Sequence, residues 1–344
     1  MNEKSVLLHA DKKIRISYGN GIQLLTPSFS ISMDPRRASS CDYTFVSHAH
    51  IDHVHSPNGK SKLLTSNETV KLAKARGYDL GKTLSEAPGV ELLDAGHILG
   101  SRSILVKDSV FYTGDLSRRS RGFLNGCKGV KCDTLIMETT YGQPKYIFPD
   151  TNNLVQQVNS LIATCFDNGR PIILCGYALG KAQLISYLFH HWDPVYLHES
   201  VHEMNEAHIE MGVGLKNFRK LSMNETAENE LRKGPWVMIS PNSFGRSGFV
   251  RTMMEKYGAV SAAFTGWAMD SLYRYSTRSS EHYLPLSDHC DYQELIDLAK
   301  YCNPSKIYTV HGFAEEFAMR LRSLGFDAEP LVDMHGQVPI SDYT

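Results

Sequence analysis

The chain predicts an α/β fold organised as two lobes. Three observations point there. Short apolar runs rich in β-branched and aromatic residues recur, and several end in a His, Asp or Glu. Segments with apolar residues at helical spacing lie between some of them, as over 154–165 and 182–192. After Glu138 no candidate motif ligand appears again until His289. At 344 residues the chain exceeds the usual size of one domain, and its 42% apolar content is enough for well-packed cores.

The most telling run is Tyr43-Thr44-Phe45-Val46, because Ser47-His48-Ala49-His50-Ile51-Asp52-His53 follows it. If that segment is extended, His48, His50 and Asp52 share one face, and His53 joins them where the chain turns. Imidazole nitrogens and a carboxylate form a ligand set suited to zinc and related divalent ions. The pattern recurs in order. Val90-Glu91-Leu92-Leu93 leads to His97, Val110-Phe111-Tyr112-Thr113 to Asp115, and Thr134-Leu135-Ile136-Met137 to Glu138. Tyr283-Leu284-Pro285-Leu286 leads to Ser287-Asp288-His289, and Ile307-Tyr308-Thr309-Val310 to His311-Gly312. Side chains just past neighbouring strand ends converge on one rim of a sheet, where α/β folds tend to bind ligands. Glycine beside His97, Asp115 and His311 lets backbone approach a crowded centre. A lone His after a strand is ordinarily a surface or core residue; His-x-His-x-Asp-His with three partners behind it is a metal signature. The other nine histidines show no such spacing, and His190-His191 read as helical.

The gap between Glu138 and His289 predicts an insertion over about 143–275. It has α/β signals of its own, with strands expected at 170–175, 236–240 and 262–267. Gly176-Tyr177-Ala178-Leu179-Gly180-Lys181 is not a nucleoside-triphosphate loop: three residues separate its glycines, and Ala182 stands where Ser or Thr would bind magnesium. A glycine-bounded turn into a helix can still offer backbone N–H groups to a phosphate.

The ordered motifs resemble the metallo-β-lactamase fold, and specifically its β-CASP nuclease branch. Asp34 in Ser32-Met33-Asp34-Pro35 matches the fold's first motif, His48 to His53 the second, His97 the third and Asp115 the fourth. Met137-Glu138-Thr139-Thr140-Tyr141-Gly142 resembles the branch's acidic motif, with Thr139 in place of a common serine. Ser287-Asp288-His289 and Val310-His311-Gly312 match its later motifs. Tyr177-Ala178-Leu179-Gly180-Lys181-Ala182-Gln183 adds a finer similarity to the compact ligase-associated exonuclease and messenger-RNA 3′-end-processing-factor-like members. The resemblance implies an αββα sandwich over 1–142 and 276–344, interrupted by an inserted α/β β-CASP domain at 143–275.

It also implies a site. His48, His50 and His97 would hold one divalent ion, most simply zinc with manganese as an alternative. Asp52, His53 and His311 would hold a second, and Asp115 would bridge them. Asp34 would orient a ligand from behind. The implied reaction is two-metal phosphodiester hydrolysis, with catalytic roles for Asp52, for His289 as the acid that protonates the leaving oxygen, and for Glu138 as its orienting carboxylate. Lys181, Arg118 and Arg246 are the expected contacts to a substrate strand. The partner implied is nucleic acid, met as a short strand or an end, with repair or RNA-processing proteins beside it.

DNA and RNA both stay open. A His at the position of His311 accompanies RNA substrates in this branch, whereas the ligase-associated similarity covers more residues and favours processing of DNA ends. A small-molecule metallo-hydrolase of the same fold has no need of so large an insertion. A non-catalytic scaffold would have lost ligands that are all present here.

Other features fit an intracellular enzyme. The net charge of −1 carries no global nucleic-acid signature, so positive potential has to be local. Seven cysteines without a Cys-x-x-Cys pair suggest a reducing compartment. No run of 18 apolar residues predicts a membrane span, and the N-terminus lacks a signal-peptide layout, so a cytoplasmic location is expected.

Overall fold

Strand ends carry the chemistry-bearing side chains, and sheet topology explains how they meet. The computed structural model describes residues 6–8, 14–54, 60–222, 225–241, 248–277 and 280–331. The chain divides into two units. The first comprises Met1–Arg119, Asn125–Pro144 and His289–Tyr343; the second comprises Ser120–Leu124 and Lys145–Asp288.

Two sheets build the first unit. One has seven strands in chain order: Val6–Leu8, Ile14–Gly19, Gly21–Leu25, Ser30–Met33, Tyr43–Phe45, Lys62–Leu64 and Thr83–Leu84. Its first four are antiparallel neighbours, and from Ser30–Met33 onward the pairing is parallel. The other sheet runs Ala328–Pro330, Lys306–Val310, Thr134–Glu138, Val110–Tyr112, Arg102–Val106, Val90–Asp94. Its last three strands form an antiparallel meander, and the rest pair in parallel.

Strand alternation decides what each face of the second sheet covers. Ile104, Val110, Tyr112, Ile136, Tyr308 and Val310 pack against Ile16, Ile22, Leu24, Ile31, Met33 and Phe45 of the first sheet. Leu105, Phe111, Leu135, Met137 and Ile307 point the other way, onto Leu295, Leu298 and Phe317 of helices Tyr292–Cys302 and Ala314–Ser323. Each such fully buried Ile, Leu or Phe is worth about 1.5–3 kcal/mol. Helix Tyr292–Cys302 begins at a capping box, Asp291 with Glu294, and stops at Asn303 in the left-handed conformation (φ 48°).

The second unit is a parallel sheet in the order Arg219–Lys220, Val195–Leu197, Val237–Pro241, Ile172–Gly176, Val260–Phe264, His282–Leu284. Ile172 and Leu174 serve one apolar cluster, and Ile173 and Cys175 another, so this sheet buries both faces. The helix expected over 154–165 spans Thr151–Asp167.

Two expectations need correction. Helix Lys181–Leu188 ends before His190-His191, where the His190 ring nitrogen meets the Tyr187 carbonyl at 2.7 Å. The strand expected over 262–267 is Val260–Phe264, after which the Thr265 hydroxyl accepts from the Trp267 N–H and starts the 3₁₀ turn Gly266–Met269. None of the described helices is long and apolar enough to cross a membrane.

A candidate metal centre at the strand ends of the first unit

Strands Val110–Tyr112, Thr134–Glu138 and Lys306–Val310 are parallel neighbours, so their C-terminal ends share one rim. Asp115 follows the first, Glu138 closes the second and His311 follows the third. In the other sheet Ser30–Met33 and Tyr43–Phe45 are likewise parallel, which sets Asp34 beside the loop carrying His48, His50, Asp52 and His53. The Asp34 N–H donates to the Phe45 carbonyl at 2.8 Å. Asp34 (φ 44°) and His311 (φ 59°) both hold left-handed backbone, which costs a non-glycine residue roughly 1–2 kcal/mol. The strand ends at Phe45, so His48, His50 and Asp52 are not presented by alternation along an extended segment. The chain turns instead, with the N–H groups of His53 and Val54 donating to the His50 carbonyl at 3.1 Å.

The turn brings four side chains together. One ligand atom each from His48, His50, His97 and Asp115 lies within 4.8 Å of the others. His50 Nδ1 sits 3.0 Å from His48 Nε2 and 3.1 Å from His97 Nε2. Asp115 Oδ2 is 3.6 Å from His48 Nε2 and 3.7 Å from His97 Nε2. Tetrahedral ligands at about 2.0–2.1 Å from zinc are about 3.3 Å apart, so the donor set fits a divalent ion. Asp115 Oδ2 is also 3.6 Å from His53 Nε2, which is 3.5 Å from Asp52 Oδ2. The His311 and His53 ring centroids are 6.0 Å apart. Asp52 and His311 thus approach Asp115 through His53, in a looser arrangement than the first set. A second tight group joins Asp115 to Glu138 and His289.

Carboxylates behind the rings set their orientation. Asp34 Oδ2 lies 3.0 Å from His53 Nδ1 and accepts from the Tyr112 hydroxyl at 2.8 Å, while its Oδ1 accepts from the Ser47 N–H at 2.7 Å. The Ser47 hydroxyl meets His48 Nδ1 at 2.9 Å, which turns Nε2 toward the cluster. Glu138 Oε1 lies 2.7 Å from His289 Nδ1 and accepts from the Leu116 N–H at 2.8 Å. Its Oε2 accepts from the Thr140 N–H and hydroxyl.

The electrostatics follow from burial among these partners. Burial, then the neighbouring His53 and His97, hold His48 well below the ordinary histidine range. Burial also drops His311 to about 4. Both are therefore neutral, as a ligand must be. Burial opposes charge on His53, yet Asp52, Asp34 and Asp115 outweigh it and raise that ring. Burial lifts Asp115 to about 7. Burial works against an ionised Glu138, but His289 and the hydrogen bonds prevail and hold it below the usual carboxylate value.

The expected substrate contacts fare differently. Lys181 is 2% exposed and lies within the second unit, its ammonium donating to the Leu286 carbonyl at 2.9 Å and pairing with Asp288 at 2.9 Å. It is a buried structural cation, which corrects its reading as a phosphate contact. Arg118 is partly buried with its guanidinium over the Tyr301 ring at 5.9 Å. Arg246 lies outside the described residues. Sequence reasoning missed Ser47, Tyr112, Thr140 and the Leu116 amide. The first three sit inside recognised motifs, but a hydroxyl or a backbone N–H leaves no spacing signal.

Parallel strands that deliver histidines and aspartates to one rim define a metallo-hydrolase type of centre. Residues 278–329 match the model of the Zn-dependent metallo-hydrolase RNA specificity domain. The chain is 35% identical over 303 residues to a probable DNA ligase of Opitutus terrae, covering 83% of this chain and 28% of that protein. It is 29% identical over 184 residues to an RNase J-like protein of Methanocaldococcus jannaschii, covering 44% of each. It is 24% identical over 276 residues to cleavage and polyadenylation specificity factor 73 of Drosophila melanogaster, covering 65% of this chain and 40% of that one. The chain thus spans less than half the length of these relatives. A crystal structure of a protein of unknown function from Enterococcus faecalis shares the fold, with a TM-score of 0.56 at 15% identity over 86% of this chain and 80% of that one. These matches support the metallo-β-lactamase-fold β-CASP family.

Proposed function

We propose that this chain is a metal-dependent phosphodiesterase acting on nucleic acid, an exonuclease that trims DNA ends. The observation that carries the reading is the pairing of two features in one site. A His48–His50–His97–Asp115 cluster fit for a divalent ion adjoins a histidine, His289, whose ring centroid is 4.5 Å from that of His97 and whose Nδ1 is held by buried Glu138.

His48, His50, His97 and Asp115 would hold one zinc or manganese ion, and Asp115, Asp52, His53 and His311 a second. When bound, such ions supply Lewis acidity toward phosphate oxygens and lower the pKa of water. The remaining work falls to the protein. Asp34 fixes the His53 ring, and the Ser47 hydroxyl fixes that of His48. Glu138 holds His289 at Nδ1 and favours its charged form, leaving Nε2 to give a proton to the departing oxygen. Asp52, whose side chain is 50% exposed, would be open to an incoming substrate.

The match to a probable DNA ligase over most of the chain favours DNA ends. RNA is the second reading, favoured by the description of the domain matched at 278–329 and by the RNase J-like relative. Repair or RNA-processing proteins would be the partners. The deciding experiment offers end-labelled single-stranded DNA and matched RNA to zinc- or manganese-loaded protein, with Asp52→Ala as control. Stepwise shortening of DNA alone is expected. Cleavage of RNA alone would move the chain to transcript processing. If neither is cut while a thioester or lactone is hydrolysed, the substrate is a small molecule.

A further inference from the structure

Arg119 follows the Asp115 loop and points at the segment that carries His289. Its Nε donates to Glu294 Oε1 at 2.7 Å and its Nη2 to Asp291 Oδ2. Those two acids are also the capping box of helix Tyr292–Cys302, but the cap uses their other oxygens. The Glu294 N–H donates to Asp291 Oδ1 at 2.9 Å, and the Asp291 N–H to Glu294 Oε2 at 2.9 Å. The cap is therefore complete without Arg119, and the guanidinium takes the oxygens the cap leaves over. Asp291 is 3% and Arg119 26% exposed at the side chain, so the fork is screened from bulk water on one side.

The loop Arg119 leaves is tied to the metal-binding side. The Ser117 N–H donates to the Ala95 carbonyl at 2.9 Å, two residues before His97, and the Leu116 N–H donates to Glu138. Across the gap, the Cys290 N–H donates to the Leu116 carbonyl at 2.8 Å. The Leu116 peptide therefore touches the partner of His289 with one end and the residue after His289 with the other. To this backbone hydrogen bond Arg119 adds a side-chain attachment through two acids of the 289–294 segment.

We propose that Arg119 is a positioning residue for His289: by bridging Asp291 and Glu294 it clamps the 289–294 segment onto the 115–119 loop and sets the His289 ring relative to Asp115. The proposal rests on the phosphodiesterase reading, with His289 as the acid. A general acid matters when the leaving oxygen must be protonated and matters little when it departs readily as an anion. A loosened acid thus leaves a signature that general destabilisation does not.

The test compares two phosphodiesters on metal-replete protein: thymidylyl-thymidine, whose leaving group is a nucleoside alkoxide, and the p-nitrophenyl ester of thymidine 5′-phosphate. His289→Ala should lose roughly 10²–10⁴-fold in kcat on the dinucleotide and far less on the ester. Arg119→Met should show the same selectivity at roughly 10–100-fold on the dinucleotide, as for a displaced catalytic group, with metal content unchanged. Glu294→Gln keeps an acceptor for the cap and weakens the Arg119 pair, so it should show the pattern more mildly even if Arg119→Met folds poorly. Equal losses on both substrates, or full dinucleotide activity in both variants, would overturn the positioning role. A wild-type protein that carries metal yet cleaves neither substrate sinks the phosphodiesterase reading itself, and the positioning role with it.

Discussion

A carboxylate behind a histidine fixes both its tautomer and its tilt, and Asp34 does this for His53 while three donors compete for its oxygens. Replacing it removes the brace and strands the Tyr112 hydroxyl and the Ser47 N–H in a buried place. Asp34→Ala should therefore weaken zinc binding by about 10–100-fold, read by competition with a chromophoric chelator. Affinity equal to wild type would show that the first ligand set alone sets the binding. At this scale the ligating types were legible, because His-x-His-x-Asp-His is rare by chance. The braces were legible only where they were acidic: Asp34 and Glu138 stand out, whereas Ser47, Tyr112 and Thr140 look like any strand or loop residue. Lys181 shows the reverse error. A lysine at a glycine-bounded helix start reads as a phosphate contact until the fold buries it against Asp288.

Elements place these residues through backbone that few side chains tolerate. Gly312, after His311, has φ +55°, and a Cβ there would lie 2.4 Å from the Thr140 Cα and 2.5 Å from the Thr139 carbonyl oxygen. The glycine lets the His311 strand end close against the Glu138 strand end, and Thr139 seals the contact by donating to the His311 carbonyl at 2.6 Å. Gly169 has φ +65° with nothing near a Cβ. Gly169→Ala should cost only the left-handed penalty of roughly 1–2 kcal/mol, and Gly312→Ala distinctly more, since backbone must move as well. Urea unfolding of the metal-free variants measures the difference; equal costs would mean that the two strand ends separate easily. The strand order was not readable at this scale. Runs such as 110–113 and 307–310 announce strands, but hydrophobicity along a chain does not say which strand pairs with which.

For the whole molecule the centre makes stability depend on pH and on metal. Asp115 titrates near 7 in the metal-free fold, raised by burial from 3.8, and His53 is raised by its carboxylate neighbours. A group raised on folding contributes stability that is complete below its unfolded value and is lost as pH rises through the folded one. The metal-free chain should therefore lose stability from Asp115 as pH climbs from about 4 through about 7. An ion needs that carboxylate ionised and His53 neutral, so binding releases protons and tightens with rising pH. Melting temperatures with and without zinc at pH 6 and pH 8 test this. The gain from zinc should be larger at pH 8, and calorimetric titrations in buffers of different ionisation enthalpy should report proton release at pH 6. A gap that shrinks at pH 8 would place the ion on other ligands. Where zinc stands a thousandfold above its dissociation constant, the stabilisation is about 4 kcal/mol.

Residue types and their spacing along the chain were enough to read which atoms are available to a metal, that they follow strand ends, and that a second α/β segment interrupts them. Those properties are local: residue type, spacing of two against three to four, and glycine where backbone must crowd. It took the folded chain to turn the 47–53 segment instead of letting it run extended. Only it brought Asp115, Glu138 and His311 onto adjacent parallel strands, buried Lys181, and set Arg119 across the acids of a helix cap. Those outcomes depend on partners far apart in the chain, 175 residues apart for Arg119 and Glu294, and no window along a sequence contains both halves of such a contact.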